Sequence, residues 1–292
     1  MAISKVQTQQ VSTPRPAAPA KPKAPAAPAA QTAAAGWSAG ANKASSLKIT
    51  HAALDEGPKM LKTVALPKGY TAELKSLEQK ESDTVHGTQV TLEQSSTQLN
   101  ISGPGGKKFS IGDNAKTFKE TAKEWRSEVD AAKKAPKEEF MQLGWDNGAS
   151  VTGLGTAGKL FSVSESGSSY TGGAHPNNFS GVATYDATTG KQVKLDSLLS
   201  PKQMNELVND VDARLKKMQG PDDIGSEAFG AGDKPRLREL INSNFALTTD
   251  KSGKVKIDLA WDSGIHALGG VMAHITLEAP TDAAFKKAAG LE

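Results

Sequence analysis

The segment Ser168–Asn177 (Ser-Ser-Tyr-Thr-Gly-Gly-Ala-His-Pro-Asn) contains the residue types that a ligand-contacting loop needs. Its two adjacent glycines allow the backbone to turn sharply or to approach a ligand closely. A tyrosine, a histidine and an asparagine beside them offer hydroxyl, imidazole and amide groups. The structural interpretation is a turn between strands, in which His175 caps a backbone group. The functional interpretation is a binding loop held by a rigid sheet, and both interpretations stay open.

A second candidate loop, Ser263–Gly270, lies between two alternating apolar patterns near the C-terminal end of the sequence. It contains one histidine and three glycines, so it has the same kind of composition as the first loop. The candidate ligand-binding residues of the two loops are Tyr170, Thr171, Gly172, Gly173, His175, Asn177 and His266.

The glycine-rich run Gly153–Lys159 matches the first seven positions of a phosphate-binding P-loop. The eighth position requires serine or threonine to hold magnesium, and Leu160 stands there instead. The residues that follow alternate like a strand, whereas a P-loop leads into a helix. We therefore expect a glycine-rich turn and no nucleotide site.

The sequence gives little support for other catalytic or metal-binding sites. It has no cysteine, which excludes a disulfide scaffold, a thiolate zinc site, an iron–sulfur cluster and a cysteine nucleophile. The one Gly-x-Ser-x-Gly match, Gly36–Gly40, follows the Ala/Pro-rich segment directly instead of a predicted strand, so it does not predict a nucleophile elbow. The five histidines form no pair at metal-ligand spacing. His274 alternates with the core face of its strand, so it is expected to point at solvent or at a covering helix. We expect no catalytic residue, no metal and no cofactor.

The N-terminal part differs from the rest in composition and charge. Prolines recur about every third residue among alanines over residues 12–35, which is typical of a disordered, extended arm. Residues 1–50 contain six basic side chains and no acidic one, so the remainder has a net charge of −3 although the whole chain has +3. The part able to fold therefore lacks the basic surface that duplex nucleic acid requires, and no nucleic-acid partner is expected.

Hydrophobic periodicity predicts strands and helices beyond about residue 70. Residues 84–101 alternate in two runs around Gln94–Ser96, which predicts a hairpin centred there. Apolar residues spaced by three and four predict a helix over 115–132 that ends before Pro136. Further short strands are predicted over 160–165, 182–186, 192–195, 255–261 and 271–277.

Two more helices are predicted from their N-terminal capping residues. Ser200-Pro201-Lys202-Gln203 is a capping-box arrangement with proline at the first helical position, and it predicts a helix whose apolar face continues to Met218. Asp233 is expected to cap a shorter helix over 235–245.

These elements predict an α+β fold with antiparallel sheet and helices packed on one face, preceded by the Ala/Pro-rich arm. The predicted organisation is an arm over 1–48, an extension or linker over 49–79, a first α+β subdomain over 80–199 and a second over 200–292. No run of apolar residues is long enough for a transmembrane helix.

Two motifs within this framework resemble the RsiV/PdaC-type bacterial envelope domains. The hexapeptide Tyr-Thr-Gly-Gly-Ala-His at 170–175 and the turn Asp-Ala-Thr-Thr-Gly-Lys at 186–191 are similar to segments of those domains. The preceding helix and the closing strand, loop and strand over 260–277 fit the same pattern, so the resemblance spans roughly residues 80–280. The family includes the ectodomain of a lysozyme-sensing anti-sigma factor and the accessory domain of a peptidoglycan deacetylase.

The resemblance implies a domain that binds rather than catalyses. The chain shows neither the transmembrane helix of the sensors nor a deacetylase domain, so we expect a binding module of a bacterial envelope or secreted protein. Its expected partner is a lysozyme-like protein or peptidoglycan. One alternative is a structural or cargo protein whose arm docks it to a larger assembly. Another is a hydrolase with His175 or His266 as general base.

The resemblance implies an extracytoplasmic location or secretion by a non-classical route, and no signal peptide is recognisable at the N-terminus. A cytoplasmic location stays open on the sequence alone.

Overall fold

The computed structural model describes residues 47–55, 57–61, 64–137, 143–172, 176–218, 226–263 and 271–291. Within them the fold is mixed α+β, with a large, mostly antiparallel sheet and four α-helices. The helices are α1 (Ala115–Lys134), α2 (Pro201–Leu215), α3 (Lys234–Ser243) and α4 (Ala283–Ala289). The strands are β1 (Ile49–Asp55), β2 (Thr71–Val85), β3 (Thr88–Ser102), β4 (Lys108–Ile111), β5 (Trp145–Ala157), β6 (Leu160–Tyr170), β7 (Asn177–Asp186), β8 (Lys191–Gln192), β9 (Phe245–Thr249), β10 (Val255–Asp262) and β11 (Met272–Glu278). The predicted fold class is confirmed.

The strands lie in the order β1-β11-β10-β7-β6-β5-β3-β2, with β4 beside β3, β8 beside β7 and β9 beside β10. The β3–β5 pair is parallel, and the other strand pairs are antiparallel. The sheet joins strands from both predicted subdomains and from the predicted extension, and the division at residues 199/200 stays a prediction. The arm over 1–48 lies outside the described residues except for Leu47 and Lys48.

The first hairpin is longer than predicted and turns at a different place. Gln94–Ser96 lie in the middle of β3, so the expectation of a turn there is wrong. β2 and β3 instead pair along their whole lengths through a two-residue turn at His86 and Gly87, both with positive φ (49° and 85°). A two-residue turn of this kind matches the twist of the strands it joins.

Local capping signals place the helices close to their predicted positions. Ser200 accepts a hydrogen bond from the backbone N–H of Gln203, and the Gln203 side chain accepts one from the backbone N–H of Ser200, which completes the capping box of α2. α2 ends at Leu215, before the predicted Met218. Asp233 caps α3 as predicted, whereas Phe245 begins β9 instead of ending the helix.

Two groups of helices cover the sheet. α1 packs its Phe118, Ala122, Trp125 and Val129 on the β2–β3 part of the sheet, where Trp125 also donates a hydrogen bond to the Leu143 carbonyl. The larger core lies between α2, α3, α4 and strands β9–β11. Among the described residues, no helix lines one stretch across β2, β3, β5, β6 and β7, and this stretch contains the candidate site.

The glycine-rich run at Gly153–Lys159 is the end of β5 and a turn. Gly158 has φ 60°, and β6 begins at Leu160, so a strand follows the run, as the sequence predicts. Among the described residues, no helix has the length and apolar character needed to cross a membrane.

Candidate functional site

The open stretch of the sheet forms a groove whose floor consists of small polar side chains. Strand register aligns them in two rows across β2, β3, β5, β6 and β7. The first row is Ser76, Thr97, Ser150, Ser166 and Ser180, and the second is Glu78, Ser95, Gly148, Ser168 and Asn178. We refer to these ten residues as the hydroxyl groove. They line a cavity of about 680 Å³, to which Leu77, Ser96, Ala149, Gly167, Phe179 and Asp262 also contribute.

The rows share one face because residues paired across neighbouring strands point to the same side of a sheet. The side-chain contacts agree with this arrangement. The hydroxyls of Ser150 and Ser166 lie 2.9 Å apart in a hydrogen bond. A Cβ atom at Gly148 would lie 3.8 Å from the hydroxyl oxygens of both Ser95 and Ser168. The groove is therefore a continuous, mostly hydroxyl-bearing surface with a depression at the glycine.

The groove ends at Asp262, the last residue of β10. The Asp262 carboxylate accepts a short hydrogen bond from the backbone N–H of Ser180, which joins β10 to β7 next to the paired Trp261 and Gly181. Asp262 and Glu78 bring carboxylates to opposite ends of the groove. Among the described residues that line it, the other side chains are uncharged.

The opposite face of the same strands has a different character. The Phe179 ring lies over Gly167, where a Cβ atom would be 2.4 Å from its Cζ, and the phenylalanine is 48% exposed. Tyr185 donates a hydrogen bond of 3.0 Å to Glu165. Burial and the neighbouring Glu165 carboxylate raise the pKa of the Tyr185 phenol well above its usual range. Alternation along the strands thus places Phe179 and Tyr185 on the face opposite the serines, and Phe179 and Gly167 also border the groove cavity.

The described part of the first predicted loop lies at the end of the hydroxyl groove. Tyr170 ends β6, two residues after Ser168, and Gly172 has the positive φ (88°) that favours glycine. Thr171 and Gly172 are exposed. Asn177 begins β7 and is paired with Ser169, so it belongs to the face of the strand opposite the groove. Its neighbour Asn178 lines the groove instead.

The remaining predicted site residues, Gly173, His175 and His266, lie outside the described residues, and their roles stay predictions. The loop Ser263–Gly270 that contains His266 follows directly after Asp262 in the sequence. Each predicted loop is therefore connected to a strand that lines the groove.

Sequence reasoning missed the groove itself, although one signal was available. Serine occupies every second position of β6 from Ser162 to Ser168, which marks one face of that strand as a row of hydroxyls. The sequence does not show which residues of β2, β3 and β5 lie beside this row of serines. The register between strands that are distant in the sequence depends on both strands and on the fold that brings them together.

A second polar cluster lies where β1 pairs with β11. His51 Nε2 lies 3.0 Å from Asp55 Oδ2, and His274 Nδ1 lies 3.1 Å from Asp55 Oδ1. We refer to His51, Asp55 and His274 as the histidine–carboxylate cluster. As predicted, His274 is on the strand face opposite Ala273 and Ile275, but it is buried beside β1 rather than directed at solvent or a helix.

Asp258 on β10 supports the cluster from the other side. Its Oδ1 lies 3.7 Å from His274 Nε2, and it accepts hydrogen bonds from Thr276 (2.6 Å) and Thr248 (3.1 Å). Burial favours a raised pKa for the Asp258 carboxyl, but these contacts outweigh burial and lower it. Burial likewise disfavours the charged form of His274, but Asp258 and the negative charge of Asp55 raise the pKa of its imidazole.

Comparisons with known proteins identify similar solved structures, and no similar sequence family. The sequence matches no protein-family model and no curated protein. A crystal structure of a DUF3298 family member from Bacteroides fragilis is 16% identical, with a TM-score of 0.45, and the match covers 73% of this chain and 91% of that one. A DUF3298 family protein from Pseudomonas aeruginosa is 15% identical, with a TM-score of 0.32, and the match covers 72% of this chain and 91% of that one. The resemblance to RsiV/PdaC-type domains stays a prediction.

Proposed function

We propose that this protein is a non-catalytic binding module of the bacterial cell envelope that holds a cell-wall glycan in the hydroxyl groove. The observation that carries the proposal is the pair of polar rows across five neighbouring strands. Hydroxyl groups both donate and accept hydrogen bonds, as a glycan's own hydroxyl and amide groups do. A surface of many small hydroxyls can therefore pair with such a ligand along its length.

The dimensions of the groove favour a polymer over a small metabolite. Neighbouring strands lie about 4.8 Å apart, so the distance from β2 to β7 across the groove is roughly 19 Å. Small side chains on the floor leave room for a chain of sugar rings to lie against the sheet. Among the described residues, only strand residues line the groove, and they leave it open on the side away from the sheet, which suits a ligand that continues beyond both ends.

The charge of the groove favours a largely neutral ligand. Its carboxylates, Glu78 and Asp262, stand at its ends, and the floor between them is uncharged. A strongly anionic polymer would meet these carboxylates without a compensating cation on the groove floor. A neutral glycan meets hydroxyl and amide groups along the whole floor.

Retention on insoluble peptidoglycan tests the proposal. The wild-type protein is expected to be retained, and Ser95→Trp is expected to reduce retention at least tenfold because an indole in the second row fills the groove. Ser102→Trp is the matched control, since Ser102 is an exposed serine of the same strand outside the groove. It is expected to be retained like the wild type.

Two outcomes would contradict the proposal. A folded wild-type protein that is not retained would exclude the glycan, and retention of lysozyme in a parallel pull-down would then support the protein partner. Equal retention of both tryptophan variants would exclude the groove as the binding surface. Circular dichroism of each variant confirms that the sheet has formed.

A further inference from the structure

We propose that the histidine–carboxylate cluster is a binding site for a transition-metal ion of the Zn²⁺ class. The ligand atoms of His51, Asp55 and His274 all lie within 4.8 Å of one another. The two imidazoles approach opposite oxygens of the Asp55 carboxylate, at 3.0 and 3.1 Å. The site is separate from the hydroxyl groove and independent of the function proposed for it.

Strand pairing explains why these three side chains converge. His51 and Asp55 are four residues apart on β1, so they point to the same face of that strand. Ala53 lies between them and is paired directly with His274 of β11. The small alanine leaves space above the strands, and the longer side chains surround that space on three sides.

The distances suit a small divalent ion. Zinc binds imidazole nitrogen and carboxylate oxygen at about 2.0–2.2 Å, so ligand atoms around a tetrahedral ion lie about 3.4 Å apart. The two contacts to Asp55 are already close to this separation. Small rotations of the side chains would therefore exchange hydrogen bonds to Asp55 for bonds to a metal placed between the three groups.

The donor set selects the class of metal. Two imidazoles and one carboxylate favour borderline ions such as Zn²⁺ over Ca²⁺ or Mg²⁺, which prefer oxygen ligands alone. Three protein ligands leave a fourth tetrahedral position for water. The His51 side chain is 43% exposed, which gives an ion access from solvent.

Neighbouring groups already orient the ligands. Asp258, held by two threonine hydroxyls, stands beside the distal nitrogen of His274. The backbone N–H of Gly57 donates a 2.7 Å hydrogen bond to Asp55. A carboxylate behind a metal-binding histidine is a common outer-shell arrangement that fixes the ring and its tautomer.

A metal here would join the first strand of the described fold to the rest of the sheet. β1 pairs with β11 alone among the described strands, so it is an edge strand. An ion bound to His51 and Asp55 on β1 and to His274 on β11 would hold this edge in place. Binding to the folded state alone also raises the melting temperature, and the rise continues with the logarithm of the free metal concentration above the dissociation constant.

The test is titration of the full-length, chelator-treated protein with Zn²⁺ by calorimetry and with Co²⁺ by visible absorption. We expect one Zn²⁺ per chain, a four-coordinate Co²⁺ spectrum and a melting temperature that rises with added Zn²⁺. His51→Ala is expected to weaken binding at least tenfold. Because His51 is largely exposed, this variant should fold even if a His274 variant does not. Asp258→Asn is expected to weaken binding about 10- to 100-fold through the orientation of His274.

The matched control is His86→Asn, which removes a histidine from the β2–β3 turn. Asparagine tolerates the positive φ of that position. The substitution removes the 2.9 Å contact of the His86 ring with the Ala132 carbonyl, which lies outside the cluster, so the metal affinity should be unchanged even if stability falls slightly. The proposal is overturned if the wild type binds no Zn²⁺, or if His51→Ala binds it as tightly as the wild type. The latter result would assign the bound ion to other side chains and leave the cluster as a hydrogen-bonded network.

Discussion

The hydroxyl groove and the histidine–carboxylate cluster are both assembled by strand register, yet their side chains have different partners. In the cluster and its neighbour Asp258, ionisable groups on β1, β10 and β11 contact one another, and His274 and Asp258 are largely buried. In the groove, uncharged hydroxyls cover five strands and most of them face solvent or each other. A side chain that is bonded to other groups of the protein contributes to the stability of the fold. A polar side chain that faces solvent can instead form hydrogen bonds with a ligand.

This difference predicts that polar substitutions destabilise the cluster more than the groove. Asp258→Asn in metal-free protein is expected to cost about 2–3 kcal/mol of unfolding free energy, because a buried charged acceptor loses its interactions with His274 and two threonines. Urea denaturation measures the effect. Asp130→Asn, an exposed position on α1, is the control and should change stability by less than about 0.5 kcal/mol. Equal losses of unfolding free energy in Asp258→Asn and Asp130→Asn would show that the contacts of Asp258 do not stabilise the fold.

A pair of glycines tests the assignment of the two faces of the sheet. A Cβ atom at Gly167 would lie 2.2 Å from the carbonyl oxygen of Gly148 and 2.4 Å from the Phe179 ring. Because the backbone carbonyl cannot move aside easily, Gly167→Ala is expected to cost about 1–2 kcal/mol. At Gly148 the added methyl group would point into the groove with ordinary contacts of 3.8 Å.

The matched variant Gly148→Ala should therefore be almost neutral in stability while it raises the groove floor. Thermal denaturation compares the two alanines, and retention on peptidoglycan then measures the effect on ligand binding. If Gly148→Ala were the more destabilising of the two, the arrangement of the two polar rows on one open face would be wrong.

The elements that the sequence predicts best are those fixed by neighbouring residues. The capping box at Ser200 and Gln203 and the apolar face of α1 involve contacts within a few positions, so their patterns can be read directly. The hairpin prediction failed at Gln94–Ser96 because polar residues there were interpreted as a turn. They belong to a strand in which Gln94 and Ser96 are buried, with Gln94 bonded to the Phe118 carbonyl of α1, while Ser95 is presented to the groove.

The two candidate sites depend on contacts that no local pattern contains. His274 and Asp55 are 219 positions apart, and they meet because β11 lies beside β1 at the edge of the sheet. The expectation of no metal site followed from histidine spacing along the sequence, which carries no information about such a pairing. The hydroxyl rows likewise require the register of five strands, of which β6 alone shows the alternation clearly.

The smallest expected effect on stability is that of Ser150→Ala, in the centre of the first row. Ser150 bonds to the Ser166 hydroxyl at 2.9 Å, but water can replace this partner because the groove is open. We expect less than about 0.5 kcal/mol of lost stability in urea denaturation. Peptidoglycan retention should nevertheless fall, since a hydroxyl that contributes little to folding is the one left for a ligand. A loss of stability as large as that of Asp258→Asn would instead make the row a structural network and remove the distinction between the two regions.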